Sequence, residues 1–225
     1  MTTSAGPGTQ APAAGARARR AGYHHGDLAN ALADAATEMA SQGGPEAVVL
    51  REAARRTGVS AAAAYRHFAD HGELLQAVKD RAGESLAAAM EAGLRRGEPL
   101  ADPRAEAVRK LRALGDAYID FAMGDPGLFR TAFCRPASSS GDITARLASS
   151  RPYQMLTAVL DELMACGVLA PDRRPLTEVA VWSSVHGLAT LLLDGPLAPL
   201  DAQQQEMAVD RTFSVLMDGI AGPPR

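Results

Sequence analysis

Tyr65, Arg66 and His67 stand side by side, directly after four alanines, Ala61 to Ala64. A phenol, a guanidinium and an imidazole can all donate hydrogen bonds, and the guanidinium is always charged. Three such groups on one short segment suit phosphate oxygens, whose contacts fix register and orientation. The alanines leave a helix surface bare enough to sit deep in a major groove, where a methyl can meet a thymine methyl but makes no hydrogen bond. The competing reading is a linker helix, because alanine is the best helix former. His67 and His71 are i, i+4, the spacing of a metal pair on a helix. Phe68-Ala69-Asp70 between them reads as a helix break, so the imidazoles need not share a face, and no metal site is assigned. Trp182 and His186 form a second i, i+4 pair, inside an apolar run. An indole N–H and an imidazole there both need partners; a ligand, a water or a neighbouring carbonyl would serve. GxSxG, HExxH and a phosphate-binding glycine loop are absent, and Asp34 and Glu38 fall on solvated helix faces, so no enzyme is expected.

These groups need elements to hold them. Leu28, Leu32, Ala35, Ala36 and Met39 recur at three-to-four spacing and predict a helix stopped by Gly43 and Gly44. A second helix runs from Leu50 to Gly58, with Ala53, Ala54 and Thr57 inward and Arg51, Arg55 and Arg56 outward. Gly58-Val59-Ser60 makes a turn, and Ser60 caps a third helix, 61–67. Two short helices joined by a glycine-containing turn have the form of a helix-turn-helix. Phe68 then turns inward, and a fourth helix runs from about Gly72 to about Arg96.

Further on, Asp102-Pro103 predicts a capped helix to about Met123, and Asp125-Pro126 a short one around Leu128–Phe133. Residues 136–141 read as a loop, and Asp142 can cap the next helix. Pro152 kinks that helix or marks its true start, and Gly167 ends it. Thr177–Leu193 is a strongly apolar helix. Ala202–Ile220 is amphipathic, with Val209, Phe213, Leu216 and Met217 as its stripe.

The whole composition agrees with an all-α fold: 225 residues, 47% apolar, 4% aromatic, with alanine and leucine dominant. No apolar run approaches the ~18 residues that span a membrane, and the basic N-terminus lacks a secretory hydrophobic segment. Cys134 and Cys166 fit no metal spacing, and a reducing cytoplasm is expected, with a redox pair as the alternative. Residues 1–81 carry nine Arg/Lys against eight Asp/Glu, and residues 82–225 fourteen against eighteen. A polyanion would therefore meet the N-terminal third. Residues 1–22, ending in Arg17, Arg19 and Arg20, read as a disordered basic arm: either a solvated tail or a segment that reaches phosphates or a minor groove.

"YHHGDLANAL" and "VVLREAARRTGVSAAAAYRHFADHGELLQAV", with the spacing between them, resemble the N-terminal domain of TetR/AcrR-type transcriptional regulators from Tyr23 to about Arg81. "AYIDFAMGDPGLFRTAF" and "VWSSVHGLATLLLDGPL" resemble the subgroup whose effector domain is named for a Trp-His-Gly element, here Trp182, His186 and Gly187 at a looser spacing. The resemblance implies a three-helix helix-turn-helix DNA-binding domain over 23–81 and a helical effector-binding and dimerisation domain over 82–225. It implies that Ser60, Ala61, Ala62, Tyr65 and His67 meet double-stranded DNA, with Arg66 beside them and Arg51 near the backbone. Tyr65 and His67 match the family's Tyr-x-His-Phe motif, whose side chains bind phosphate. His71 stands where the family often has a lysine, and the all-alanine groove face lacks the usual longer polar group. Base preference then rests on Arg51, the arm and DNA shape.

A small hydrophobic effector, no cofactor and a homodimer on a palindromic operator are also implied, with repression the usual mode. Control by a partner or by redox, without an effector, is the alternative. Candidate effector contacts are Phe121, Phe129, Tyr153, Trp182 and His186, together with Met123 and Met155; each is also a plausible core residue. The two C-terminal helices suit a two-fold interface in which each copy gives a pair, or the core of a monomer.

Overall fold

A computed structural model describes residues 1–2, 25–134 and 147–222. The expected arm with Arg17, Arg19 and Arg20, the 136–141 loop and the Asp142 cap lie outside the described residues. All regular elements among the described residues are helical: α1 (His25–Gly43), α2 (Leu50–Arg56), α3 (Ala61–Ala64), α4 (His71–Leu94), α5 (Pro103–Gly124), α6 (Pro126–Phe133), α7 (Arg151–Ala165), α8 (Thr177–Leu193) and α9 (Ala202–Ala221), with 3-10 turns at Pro45–Ala47 and Pro171–Arg173. None is long and apolar enough to cross a membrane.

Local chemistry sets the helix ends. α1 stops where Gly44 takes φ 73°, in the left-handed region that glycine enters without strain. α2 ends at Gly58, φ 72°: the Gly58 N–H donates to Arg55 O at 3.2 Å and the Val59 N–H to Ala54 O at 3.0 Å. This paired arrangement satisfies the last carbonyls of the helix. Gly167, φ 75°, closes α7 with the same pair of bonds, to Met164 O and Leu163 O. Side chains of Asp102 and Asp125 cap α5 and α6 ahead of their prolines. Pro152 sits in the first turn of α7, directly after a bend at Ser150 that separates it from helical residues 147–149.

α3 is shorter than the 61–67 expected. Its regular part ends at Ala64, and Tyr65–His67 follow as a tight turn, with Arg66 N–H to Ala63 O at 3.3 Å and His67 N–H to Ala64 O at 2.9 Å. Such i→i+3 bonds tighten a last turn. The tightening carries Phe68 inward, where it is buried against α1 and α4. Asp70 then caps α4 by accepting the Glu73 N–H at 2.9 Å, and the Glu73 carboxylate reaches back to the Ala69 N–H at 2.7 Å.

Two apolar clusters result. One joins α1, α2 and α3 to the first half of α4, through Leu32, Met39, Ala64, Phe68, Leu74 and Val78. The other joins the second half of α4 to α5 and the later helices. α6 belongs to both: Leu128 is buried in the first cluster and Phe129 in the second. Its start is pressed onto the end of α1. A Cβ on Gly127 would lie 2.3 Å from Ser41 O and 2.4 Å from Ala40 O, so only glycine fits. Asp125 accepts from the Ser41 hydroxyl at 2.6 Å and from the Leu128 N–H at 2.9 Å. Lys79 of α4 donates to Cys134 O, just past the other end of α6, at 2.6 Å.

Gly127→Ala is expected to lower stability by about 1–3 kcal/mol, the usual cost of overpacking, read as a fall in the urea midpoint at unchanged slope. Gly83→Ala in α4, where an added Cβ meets nothing within 4 Å, is expected to be neutral or stabilising. Equal midpoints for the two variants would show that α6 can draw back from α1 at no cost.

Candidate nucleic-acid interface and interior cavity

The predicted N-terminal residues lie on α2, on α3 with the turn after it, and at the start of α4, and they differ in exposure. Arg51, on the first turn of α2, is exposed, as are Ser60, Ala62, Tyr65, Arg66 and His71; Ala61 and His67 are half-buried. The Ser60 hydroxyl is engaged as a cap, accepting the Ala63 N–H at 3.2 Å. The alanine run is divided in its roles: Ala64 is fully buried beneath α1, while Ala62 points out. Tyr65 keeps 45% of its surface exposed despite its size. His71 is the first residue of α4, and the chain breaks its helix between His67 and His71. Among the described residues, no group of three or more His, Cys, Asp or Glu converges.

The three arginines of α2 are not equivalent. Glu52 takes Arg55 in a two-pronged pair, Nε at 2.8 Å and Nη2 at 2.7 Å, and also accepts Arg56 Nε at 3.1 Å. Hydrogen bonds from Arg55 and then Arg56 pull the Glu52 carboxyl from 4.5 down to about 2. Arg51 and Arg66 have no carboxylate partner among the described residues. Glu52 was legible in the sequence as an i, i+3 and i, i+4 partner of the two arginines, a signal masked by the outward run of arginines around it.

In the C-terminal half, the Tyr118 hydroxyl and His186 Nδ1 are 2.8 Å apart, joining α5 to α8. Phe133 packs edge-on to His186 with centroids 4.8 Å apart, and Phe129 lies 5.6 Å from it. Trp182 meets Tyr118 at 5.4 Å and Tyr153 at 5.8 Å. Burial pushes the Tyr118 hydroxyl well above its ordinary pKa and the His186 imidazole below 6.5. Both are therefore neutral near pH 7.

Beside them lies a cavity of about 40 Å³, lined by Trp182, Tyr118, Met90, Leu111 and Phe213 among others. Trp182 is the one predicted contact that lines it. His186 and Phe129 pack behind Tyr118, Tyr153 touches the Trp182 ring, and Phe121 packs between the two apolar clusters. Met123 and Met155 are half-buried against the C-terminal cluster. Tyr118 and Phe133 were not singled out from sequence. Their neighbours are far away in the chain, 68 residues in the case of Tyr118 and His186, and no local pattern reports such a contact.

A capped short helix behind a glycine turn, on a helical body, defines a helix-turn-helix regulator, a class that acts by binding DNA rather than by catalysis. Residues 32–78 match the family of bacterial regulatory proteins called tetR, and residues 111–216 match the tetracyclin repressor-like C-terminal domain. The chain belongs to the tetR family of transcription regulators. Solved structures share its fold. A protein of unknown function from Rhodococcus sp. RHA1 is 26% identical over 89% of this chain and 98% of its own, with a TM-score of 0.71. A TetR family transcription regulator from Marinobacter aquaeolei VT8 is 23% identical over 83% of this chain and 94% of its own, TM-score 0.58. The TetR family transcriptional regulator PfmR from Thermus thermophilus is 24% identical over 86% and 99%, TM-score 0.53. No curated protein matches the chain.

The lowered pKa of His186 sets a pH window. Above 6.5 neither the folded nor the unfolded chain protonates it, and its full contribution to stability is present. As pH falls through the lowered folded value, the unfolded chain takes the proton first and that contribution is lost. Glu52 and Glu106, both lowered to about 2, lose theirs only below 4.5. Between about pH 7 and 5.5, wild-type Tm should therefore fall more steeply than that of His186→Gln, which keeps a hydrogen-bonding side chain without the titration. Parallel slopes would show the imidazole to be protonated as readily inside as out.

Proposed function

We propose that this protein is a repressor that binds a palindromic double-stranded DNA operator as a homodimer and is released by a small hydrophobic effector. The observation that carries the DNA reading is the exposure of Arg51, Ala62, Tyr65 and Arg66 around the α2–α3 turn, with neither arginine held by a carboxylate among the described residues. In this reading residues 23–81 are the DNA-binding domain, residues 82–225 the effector and dimerisation domain, and residues 1–22 a basic arm. Ser60, Ala61 and Ala62 face the groove, while Tyr65, Arg66, His67 and His71 hold phosphates. Phe121, Phe129, Tyr153, Trp182 and His186 form or back the effector site, and Trp182, His186 and Gly187 supply the element that names the Trp-His-Gly subgroup. The protein works in the cytoplasm, where its operator is.

Dimerisation is supported by the outer faces of α8 and α9. Val179 and Leu191 on α8, and Met207 and Val215 on α9, are large apolar groups left exposed in the single chain. Covering them with the same face of a second copy removes that surface from water. Two recognition helices then address half-sites ~34–36 Å apart. Effector release follows from population shift: a ligand that favours a spacing other than the operator's draws the dimer off DNA. α4 spans both apolar clusters and α6 is wedged between them, so these two helices carry the change.

Selection of bound sequences from a random DNA pool, at two salt concentrations, tests the central claim; an enriched palindrome is the expected result. Tyr65→Ala and His67→Ala should weaken binding to all sequences alike, whereas Arg51→Ala should relax preference at one position by about 1–3 kcal/mol. Wild-type affinity in both of the first two variants would sink the docking arrangement. The double substitution Met207→Asp with Val215→Asp is expected to sediment as a folded monomer; a persisting dimer would place the interface elsewhere.

A further inference from the structure

Gly115 lies in the middle of α5, where glycine costs roughly 0.5–1 kcal/mol relative to alanine. Packing does not demand it: an added Cβ would meet nothing within 4 Å. The space beside it is made of two small cavities. The first, about 40 Å³, is the one bordered by Tyr118 and Trp182. The second, about 30 Å³, is bordered by Arg112, Asp116 and Thr212. Gly115, Val185, Phe213 and Leu216 line both, and so form the wall between them. Phe213 is only half-buried and rides on α9. Its ring lies under the Arg112 guanidinium, 5.3 Å from the centroid. Asp116 and Asp210 hold that guanidinium, each at 2.7 Å.

We propose that the two cavities are the closed halves of one effector chamber, which opens around Gly115 when Phe213 turns aside, and that its ligand is an uncharged, largely apolar molecule with one hydrogen-bonding group at the Arg112 end. This rests on the effector response proposed above. The first cavity offers no counter-ion: its one titratable wall group, Tyr118, is bonded to His186. A charged ligand would lose its water there and gain no partner. At the other end Asp116 and Asp210 already hold Arg112, so no unpaired cation faces the space to attract an anion, and the spare donors and lone pairs there suit a neutral carbonyl or hydroxyl. Each cavity alone is far below the ~300–1,000 Å³ of a ligand pocket. A ligand therefore has to displace Phe213 to bind, and the displaced residue belongs to a helix of the proposed dimer face. Occupancy and dimer geometry are linked through that one ring.

The full chain is titrated with two fluorescent probes, uncharged Nile red and anionic anilinonaphthalene sulfonate, with circular dichroism and Tm as folding controls. Saturable binding of Nile red, and at least roughly tenfold weaker binding of the sulfonate, are expected. Gly115→Leu, which extends a side chain into the wall, should weaken Nile red by about tenfold, the scale of a few lost methylene contacts. Phe213→Ala, which removes the partition, should tighten it. Undiminished binding in Gly115→Leu, unchanged binding in Phe213→Ala, equal affinity for the sulfonate, or no saturable Nile red binding would each overturn the chamber. Release of the selected operator is read separately. Nile red that fills the chamber in the expected way yet leaves the operator bound supports the chamber and removes the effector-release reading instead.

Discussion

The α1 and α6 backbones approach so closely at Gly127 that no side chain fits between them, and much of the molecule is arranged around that contact. Helix α6 cannot move towards α1, because the Ala40 and Ser41 carbonyls stand in the way. Its first turn is tied by Asp125 to Ser41, and the chain just past its last turn to Lys79 on α4. Its consecutive residues Leu128 and Phe129 serve different cores. A displacement starting among Tyr118, Phe133 and His186 thus meets a short, stiff element whose far side is the helix that supports the helix-turn-helix. Close-packed interiors pass on such displacements because they have little void to absorb them.

At the opposite end the economy is one of charge. Three arginines on α2 would repel one another and bind anions without discrimination. Glu52 engages two of them at once and leaves Arg51. The same pairing fixes the Arg55 and Arg56 side chains in place, so the unpaired positive charge near the turn stands on Arg51 and Arg66. These exposed pairs contribute little to stability in themselves. Their effect is on where charge stands.

Much of this was legible in the sequence, for reasons that differ by feature. Helix ends at Gly44, Gly58, Gly167, Asp102-Pro103, Asp125-Pro126 and Pro152 were readable because caps and breakers act over four or five residues. The buried stripe on α1 and the half-buried one on α9 followed from periodicity. The early end of α3 was not readable, because it depends on where Phe68 must go, and that is set by α1 and α4. Nor was the membership of Leu128 in the N-terminal core, since α6 looks like any short amphipathic helix until its neighbour is known. At the candidate sites, the exposure of Arg51, Ser60, Ala62, Tyr65 and Arg66 agrees with the residue types there, which are charged, polar or small. The interior was less legible: Trp182 was placed at the cavity wall, but Tyr118, Phe213 and the gap at Gly115 depend on contacts between helices distant in the chain.

The Ser60-capped alanine segment has a consequence for how such a chain can change over time. Ala62 has no rotamers to freeze, so any surface it meets costs no side-chain ordering at that position. Because it is exposed and touches no core, replacing it should shift stability by no more than ~0.5 kcal/mol. Ala64, two residues on and fully enclosed, has no such freedom. The fold thus keeps a scaffold position and an adjustable position within one turn of helix. A lineage carrying it could acquire new recognition chemistry by single substitutions, with no compensating change elsewhere.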